Sequence, residues 1–323
     1  MKPERLEVMQ TIDKDLPPLI EKYLKPIEEN WQPADLLPST DDPHFVETLQ
    51  EIQALSRELG YDLFAVLIGD TITEEALPTY ESWLLRMEGV QPERKCGFTH
   101  WIRAWTAEEN RHGDVLSRYL YLSGRVDMRQ LEITTQYLIK DGFDIGTDSD
   151  PYRNFVYTSF QELATNVSHR RVASLAKKAG DARLAKICAV VAADEARHAR
   201  AYMDFVQRIL ALDPNELLLA FEDMMRKKIV MPAHFLRESG GDASSVFGHF
   251  SDAAQRIGVY TATDYIDILR SLLKEWNLEQ VRGLNEQAEK ARDYLMALPA
   301  RLERIATRLR IPEQPYKFRW ILD

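Results

Sequence analysis

Two copies of the pattern Glu-x-x-His are the parts of this sequence best suited to metal chemistry. Glu109 precedes His112, and Glu195 precedes His198, by three residues. Side chains three apart lie on the same face of a helix, so the members of each pair can act together. A buried carboxylate and imidazole are costly unless they pair with each other or bind a metal. Each copy therefore predicts either a hydrogen-bonded core pair or half of a metal site.

Both pairs lie on helix faces that are otherwise apolar. The apolar residues that recur with them at spacings of three and four are Trp105, Leu116 and Tyr119 in the first stretch, and Val191, Tyr202 and Phe205 in the second. A stripe of this kind faces the core of a helical protein. Two similarly placed pairs on two helices favour a shared metal site over two separate hydrogen-bonded pairs.

Two single acids, Glu74 and Glu162, can be added to these pairs. Each alone is equally consistent with a solvent-facing acid. Carboxylate sites in four-helix bundles take one Glu from each of two helices and a Glu-x-x-His from each of two others. Four carboxylates and two imidazoles suit iron or manganese, whereas zinc normally takes fewer carboxylate ligands.

Long helices are predicted to position these residues. Helical periodicity is found from 45 to 55, 61–88, 98–122, 128–139, 151–178, a further stretch that ends at 212, 214–228, 263–276 and 288–309. Pro78 is predicted to kink the second of these helices. Asn-Gly hairpins and long alternating strand patterns do not occur in the sequence. We therefore predict an all-α protein, a helical bundle with smaller helices added toward the C-terminal end.

Composition excludes some classes of function. The 323 residues include 41 Lys and Arg against 51 Asp and Glu, a net charge of −10. This excess disfavours nucleic-acid binding, which depends on neutralising phosphates. No apolar run approaches the roughly 18 residues needed to cross a membrane. The N-terminal residues read neither as a secretory signal nor as a transit peptide. We expect a cytoplasmic protein, or one of the plastid stroma if the numbering is that of a mature chain.

Longer runs around the two pairs point to a family. Residues 105–114 and 192–198 resemble the soluble acyl-carrier-protein desaturases, the family of the plant stearoyl desaturases. The resemblance continues from about residue 17 to the C-terminal Trp320-Ile321-Leu322-Asp323. It implies one ferritin-like domain over 1–323, with a four-helix-bundle core that binds metal at about 61–212 and helical additions over 213–323.

The resemblance also implies a diiron centre with two iron ions per chain. The resemblance implies that Glu74 and His112 bind one iron and that Glu162 and His198 bind the other. It implies that Glu109 and Glu195 bridge the two ions. Asp194 would accept the second ring proton of His112 and so fix the tautomer of that ligand. Trp31 would extend this chain to the surface as an electron route. Thr165 would lie beside the oxygen-binding face.

The implied activity is oxygen-dependent insertion of a cis double bond into a saturated acyl chain on acyl carrier protein, within fatty acid biosynthesis. Ferredoxin is the implied electron donor and a homodimer the implied assembly. We predict that Trp83 and Met87 line the acyl tunnel. The carrier protein is predicted to dock at Arg226, Lys227 and Lys228. Three alternatives stay open: another diiron oxidase, such as a hydroxylase or oxygenase, a ferritin-like iron-binding protein, and a helical scaffold protein that binds no metal.

Overall fold

A computed structural model describes residues 3–95, 97–242 and 244–322 of the chain. Its helices, numbered in chain order, are α1 (Pro3–Tyr23), α2 (Pro33–Leu36), α3 (Phe45–Glu58), α4 (Tyr61–Glu75), α5 (Leu77–Leu84), α6 (Gly97–Ser123), α7 (Met128–Asp141), α8 (Pro151–Lys178), α9 (Ala182–Leu212), α10 (Pro214–Lys227), α11 (Phe247–Arg256), α12 (Ala262–Glu275) and α13 (Glu286–Ala306). Three short 3₁₀ helices lie at Ile27–Glu29, Pro232–Phe235 and Leu278–Gln280. These described residues form no β-strand, only one isolated bridge between Val126 and Ile321. The all-α prediction is confirmed.

Four long helices, α4, α6, α8 and α9, form the central bundle. Helices α8 and α9 pack against each other along much of their length, and α4 packs on α6. The stripes predicted to face the core do so, with Trp105, Tyr119, Val191 and Phe205 all buried. Helix α1 crosses α6 and α9, while α10 and α12 lie on α8 and α11 lies on α4. The outer helices therefore shield the bundle from solvent.

Two aspartates fix where the paired helices α8 and α9 begin. The Asp150 carboxylate accepts a hydrogen bond from the N–H of Tyr152 in the first turn of α8. The Asp181 carboxylate accepts from the N–H of Leu184 in α9 and from the hydroxyl of Tyr119 in α6, the latter at 2.5 Å. Such caps satisfy helix N–H groups that lack a partner in the first turn. Asp181 thus also ties α9 to α6, the two helices that carry the Glu-x-x-His pairs.

The region around Pro78 differs from the prediction. One kinked helix was expected over 61–88, but α4 ends at Glu75 and α5 begins at Leu77. Pro78 lies in the first turn of α5, where its missing N–H leaves no hydrogen bond unmade. The chain therefore breaks rather than bends there, and Glu74 lies in the last turn of α4.

Helices α1 and α11 were not predicted from the sequence. Helix α1 contains Pro17 and Pro18, yet it buries Met9, Ile12 and Leu16 against the bundle. Packing of this apolar face outweighs the low helix propensity of the two prolines. Among the residues that the structure describes, no helix combines the length and the hydropathy that a membrane crossing requires.

Candidate metal centre

Six side chains from the four bundle helices meet in the interior. They are Glu74 from α4, Glu109 and His112 from α6, Glu162 from α8, and Glu195 and His198 from α9. Their exposed fractions are between 0% and 8%. They form two overlapping groups, and within each group the ligand atoms lie within 4.8 Å of one another. Glu109 and Glu195 belong to both groups, which is the arrangement expected of bridging carboxylates.

Each imidazole faces the carboxylates with its Nδ1 atom. His112 Nδ1 lies 3.2 Å from Glu109 Oε2 and 3.0 Å from Glu195 Oε1. His198 Nδ1 lies 2.5 Å from Glu109 Oε1 and 3.7 Å from Glu162 Oε2. The two imidazole rings are 6.2 Å apart between centroids. The six side chains predicted from the sequence are therefore brought together in one cluster.

Several atoms of this cluster are buried without a hydrogen-bond partner among the described residues. They are Glu109 Oε1, His112 Nδ1, Glu162 Oε2, Glu195 Oε1 and His198 Nδ1. A buried polar atom without a partner is rare in a folded protein and points to a bound ion or water. Three carboxylate oxygens and two imidazole nitrogens suit iron or manganese. The residues present therefore fit a metal site.

The charges in the cluster also suit a bound cation. Burial raises the pKa of Glu162 well above its ordinary value, and the negative charges of Glu109 and Glu195 raise it further. Burial would lower the pKa of His112, but the nearby carboxylates, Glu109 foremost, outweigh burial and raise it. Metal ligands bind in their deprotonated forms, so a bound cation replaces these protons.

Asp194 joins the histidine of the first pair to a tryptophan near the surface. Its Oδ2 lies 3.5 Å from His112 Nε2 and accepts a hydrogen bond from Trp31 Nε1 at 2.9 Å. The Trp31 ring is partly buried and stacks near His112, with 6.0 Å between ring centroids. Arg111 and Arg197 donate to the same carboxylate at 2.8 and 2.6 Å. The predicted contacts of Asp194 with His112 and with Trp31 are thus present.

The pKa of Asp194 reflects these donors. Burial alone would raise it, but the hydrogen bond from His112 and the charges of Arg197 and Arg111 outweigh burial and lower it. Asp194 therefore stays charged and can orient the ring of His112.

Sequence analysis missed Glu108, which does for His198 what Asp194 does for His112. Glu108 Oε2 lies 2.9 Å from His198 Nε2 and accepts from Arg197 at 2.8 Å. Its other oxygen accepts from the backbone N–H of Lys25 at 2.8 Å and from Asn30 Nδ2 at 3.1 Å. The loop after α1 therefore closes the outer side of the cluster.

A short repeat in the sequence could have revealed this residue. The two stretches Glu108-Glu109-Asn110-Arg111-His112 and Asp194-Glu195-Ala196-Arg197-His198 share the pattern acid-Glu-x-Arg-His. In the structure, the first acid of each copy contacts the histidine of the other copy. The two halves of the centre therefore hold each other through exchanged hydrogen bonds.

Glu74 and Glu162, which each belong to only one of the two groups, are also held in place by neighbouring side chains. Glu74 Oε1 lies 2.9 Å from His169 Nε2, and Glu162 Oε1 accepts from Trp105 Nε1 at 3.1 Å. Helix α6 approaches α4 closely at Gly113, where an added Cβ would lie 3.2 Å from the backbone carbonyl carbon of Glu74. A larger residue at Gly113 would push the helix that carries Glu74 away from His112. His169 and Gly113 were not identified from the sequence.

Comparison with known proteins places this centre in a family. The model of a fatty acid desaturase family matches residues 4–322. The chain belongs to this family. Stearoyl-[acyl-carrier-protein] 9-desaturase of Ricinus communis is 48% identical over 329 residues, which cover 100% of this chain and 83% of that protein. Palmitoyl-[acyl-carrier-protein] 4-desaturase 3 of Ophrys sphegodes is 45% identical over 328 residues, covering 99% and 82%.

A solved structure supports the fold of this desaturase. The X-ray structure of DesA2 from Mycobacterium tuberculosis H37Rv, named there as a candidate acyl-ACP desaturase, matches with a TM-score of 0.56. The match covers 88% of this chain and 99% of DesA2 at 16% sequence identity. The two plant relatives are named as chloroplastic proteins. The cytoplasmic location and the single domain over 1–323 stay predictions.

A cavity of about 440 Å³ lies beside the carboxylate and histidine cluster of the desaturase. Glu74 and Glu109 belong to both the cluster and the cavity wall, and Thr165 lines the wall next to them. The Thr165 hydroxyl donates to Glu195 Oε2 at 2.5 Å, so it lies on the cavity side of the centre. Apolar side chains form most of the remaining wall. The volume falls within the range of roughly 300–1,000 Å³ that is typical of ligand sites.

Trp83 and Met87, the predicted tunnel residues, are buried but do not line this cavity. Tyr80 does line it, and the ring of Trp83 packs behind Tyr80 with 5.3 Å between centroids. Trp83 also packs against Tyr157 at 6.0 Å. Trp83 thus supports the part of the wall that Tyr80 forms and does not itself line the cavity. Its effect on chain length stays a prediction.

The three predicted docking residues have different surroundings. Arg226 forms an ion pair with Glu222 at 2.6 Å, and Lys227 forms one with Asp223 at 2.9 Å. Lys228 is exposed and lines the cavity. It forms no ion pair with the residues that the structure describes, so its charge is available to a partner.

Proposed function

We propose that this protein is an oxygen-dependent acyl-[acyl-carrier-protein] desaturase that uses two iron ions to insert a cis double bond into a saturated acyl chain. One observation carries the proposal. A mostly apolar cavity runs along the carboxylate and histidine cluster, and Glu74, Glu109 and Thr165 lie where the two meet. A long apolar chain in this cavity would pass directly beside the metal site. The sequence similarity to desaturases of carrier-bound acyl chains supports the same substrate class.

The ligand roles follow the two overlapping groups of side chains. Glu74 with His112, and Glu162 with His198, are proposed to hold one iron each, while Glu109 and Glu195 bridge them. When bound, the iron pair supplies the redox chemistry with dioxygen that no amino-acid side chain provides. The desaturase itself holds the ligands in place and presents the Thr165 hydroxyl proton at Oγ1 to the cavity side of the cluster. Its apolar walls exclude water from the acyl chain.

The overall reaction is balanced in atoms and electrons. Two adjacent methylenes of the acyl chain each lose one hydrogen, which together carry two electrons and two protons. A donor supplies two more electrons, and two protons come from solvent. Dioxygen is reduced by these four electrons and four protons to two waters. The acyl chain leaves with one carbon–carbon double bond.

Ferredoxin is proposed as the electron donor and a homodimer as the assembly, as the family resemblance implies. The route for electrons is proposed to run from Trp31 through Asp194 to His112. Trp31 is the partly exposed member of these three residues, and hydrogen-bond distances of 2.9 and 3.5 Å connect them. Trp31 is not among the residues that line the cavity, so a donor could bind over it without occupying the cavity.

Acyl carrier protein is proposed to dock near Lys228, at the cavity. Acidic carrier proteins need a local basic surface on an enzyme whose net charge is −10. Lys228 meets this need better than its neighbours, because Glu222 and Asp223 already neutralise Arg226 and Lys227. Leu302 of α13 lines the same cavity, and the exposed Arg301 precedes it in the sequence.

The mass of the product tests the proposed activity. The iron-loaded protein, with ferredoxin, a reductase and oxygen, is expected to convert a carrier-bound saturated chain to a product that lacks two hydrogens. A product that gains one oxygen atom would instead identify a hydroxylase or another oxygenase. Iron uptake and oxidation without any change of the acyl chain would identify an iron-binding protein of the ferritin type. Either result would contradict the proposal.

The packing of Trp83 behind the cavity wall gives a prediction about chain length. Trp83→Leu is expected to raise the preference for an acyl chain two carbons longer by several-fold, because Tyr80 loses the ring that supports it. One methylene in an apolar pocket is worth about 1–3 kcal/mol of discrimination. The measurement is the ratio of kcat/KM for two carrier-bound chains, with Trp83→Phe as the control that keeps an aromatic ring. An unchanged ratio in a folded, iron-loaded Trp83→Leu protein would restrict Trp83 to packing.

A further inference from the structure

Helix α11 approaches α4 unusually closely at one glycine. A Cβ atom added to Gly69 would lie 2.1 Å from Cε2, 2.6 Å from Cδ2 and 3.0 Å from Cζ of Phe250. Carbon atoms in contact normally stay about 3.5–4.0 Å apart. The ring of Phe250 therefore occupies the space that any side chain at position 69 would need, and only glycine permits this position of the ring.

The same ring is part of the cavity wall. Phe250 lines the cavity from α11, and Val66, Asp70 and Thr73 line it from the face of α4 on which Gly69 lies. Gly69 precedes Glu74 by five residues, which is about 7.5 Å along a helix. The contact between Gly69 and Phe250 thus borders the cavity less than two helical turns from the metal cluster.

The cavity adjoins a second pocket near this contact. A surface groove between α11, α12 and α13 shares Ser251, Tyr260, Tyr265 and Leu302 with the cavity. Leu77, Tyr80 and Trp105 line the cavity elsewhere, toward the buried aromatic side chains of the bundle. Phe250 and Ser251, which are neighbours in α11, both line the cavity.

We propose that the contact between Gly69 and Phe250 sets the width of the cavity beside α4, and that this width selects unbranched acyl chains. The inference rests on the proposed function, since it names the substrate class of that same cavity. With glycine at position 69, the ring stays against α4 and leaves room for a straight chain. A methyl branch on the part of the chain that passes the ring would collide with it.

Two substitutions change this width in opposite directions. Gly69→Ala is expected to push the ring of Phe250 into the cavity and to lower kcat/KM for a straight chain by about tenfold, the discrimination that one misplaced methyl group produces in an apolar pocket. Phe250→Leu shortens the side chain and is expected to raise the ratio of kcat/KM for a methyl-branched chain over a straight chain by a similar factor. The double variant is expected to regain most of the straight-chain activity, because the shorter leucine side chain leaves room for the added methyl group.

The controls separate this effect from damage to the fold or to the centre. Gly248→Ala makes the same change in α11 at a site with no atom within 4 Å of the added Cβ, and is expected to change nothing. Iron content and Tm are measured for every variant. Equilibrium binding of both carrier-bound chains without an electron donor, when no turnover occurs, is expected to follow the same order as kcat/KM.

Three results would overturn the inference. In the first, Phe250→Leu leaves the ratio of kcat/KM for the branched over the straight chain unchanged. In the second, adding Phe250→Leu to Gly69→Ala does not restore straight-chain activity. In the third, the substitutions change kcat/KM for both chains by the same factor. The Phe250→Leu result decides the matter even if Gly69→Ala does not fold. Failure of the proposed function is a separate outcome, because the unmodified protein would then form no desaturated product from the straight chain.

Discussion

Removal of either cluster histidine is expected to destroy the metal centre. The unmodified protein, reconstituted with ferrous iron, should hold about two irons per chain, as carboxylate bundle sites do. His112→Ala and His198→Ala each remove the single imidazole of one of the two groups. We expect iron content to fall to about one per chain or less in each variant, and turnover to fall more than about 100-fold, beyond the loss typical of changes to outer ligand partners. Metal analysis and product formation measure the two effects.

A matched variant shows whether replacing any histidine of α6 by alanine affects iron content or activity. His100 lies exposed on α6, the helix that also carries His112, nine residues before Glu109, which is about 13 Å along the helix. His100→Ala is therefore expected to keep full iron content and activity. Stoichiometric iron in both His112→Ala and His198→Ala would contradict the ligand assignment, whatever their activity.

The ligand cluster could be predicted because its signal is periodic. Glu109 and His112, like Glu195 and His198, lie on buried stripes of long helices, and the bounds of those helices follow from apolar spacing and from loop residues. The predicted helix over 98–122 differs from α6 by one residue at each end, and 151–178 matches α8. Local spacing determined which face each ligand occupies, and family resemblance added the roles of Glu74 and Glu162.

The residues that sequence analysis missed depend on contacts between distant parts of the chain. Glu108 is next to Glu109, yet Glu108 faces Nε2 of His198 and Glu109 faces Nδ1 of the same ring. Only the packing of α6 on α9 distinguishes the two carboxylates. His169 contacts Glu74 across 95 residues. The close approach at Gly69 depends on where α11 lies, and α11 itself was not predicted. Helical periodicity carries no information about such pairs.

Changes to the acids that hold the two histidines are expected to separate metal binding from electron delivery. Asp194 accepts hydrogen bonds from Trp31, Arg111 and Arg197 and lies against His112. Asn in its place keeps the size but removes the charge. We choose Asn rather than Ala because its side-chain oxygen can still accept hydrogen bonds from Trp31 and the arginines, whereas Ala would leave these buried donors without an acceptor at this position. Asp194→Asn is expected to keep much of the iron but to lower turnover by about 10–100-fold.

Glu108→Gln is the matched variant, because Glu108 holds His198 in the same way but has no contact with Trp31. Both variants should lower turnover when a small chemical reductant supplies the electrons, since each loosens one histidine. With ferredoxin as the donor, Asp194→Asn should lose a further several-fold relative to Glu108→Gln, because it alone interrupts the contacts from Trp31 to His112. The rate at which each donor reduces the centre, measured in both variants, makes the comparison. If Asp194→Asn loses the same factor of turnover with both donors, Asp194 only holds His112 and has no part in electron delivery. If turnover in Asp194→Asn is unchanged, Asp194 has no role in the reaction.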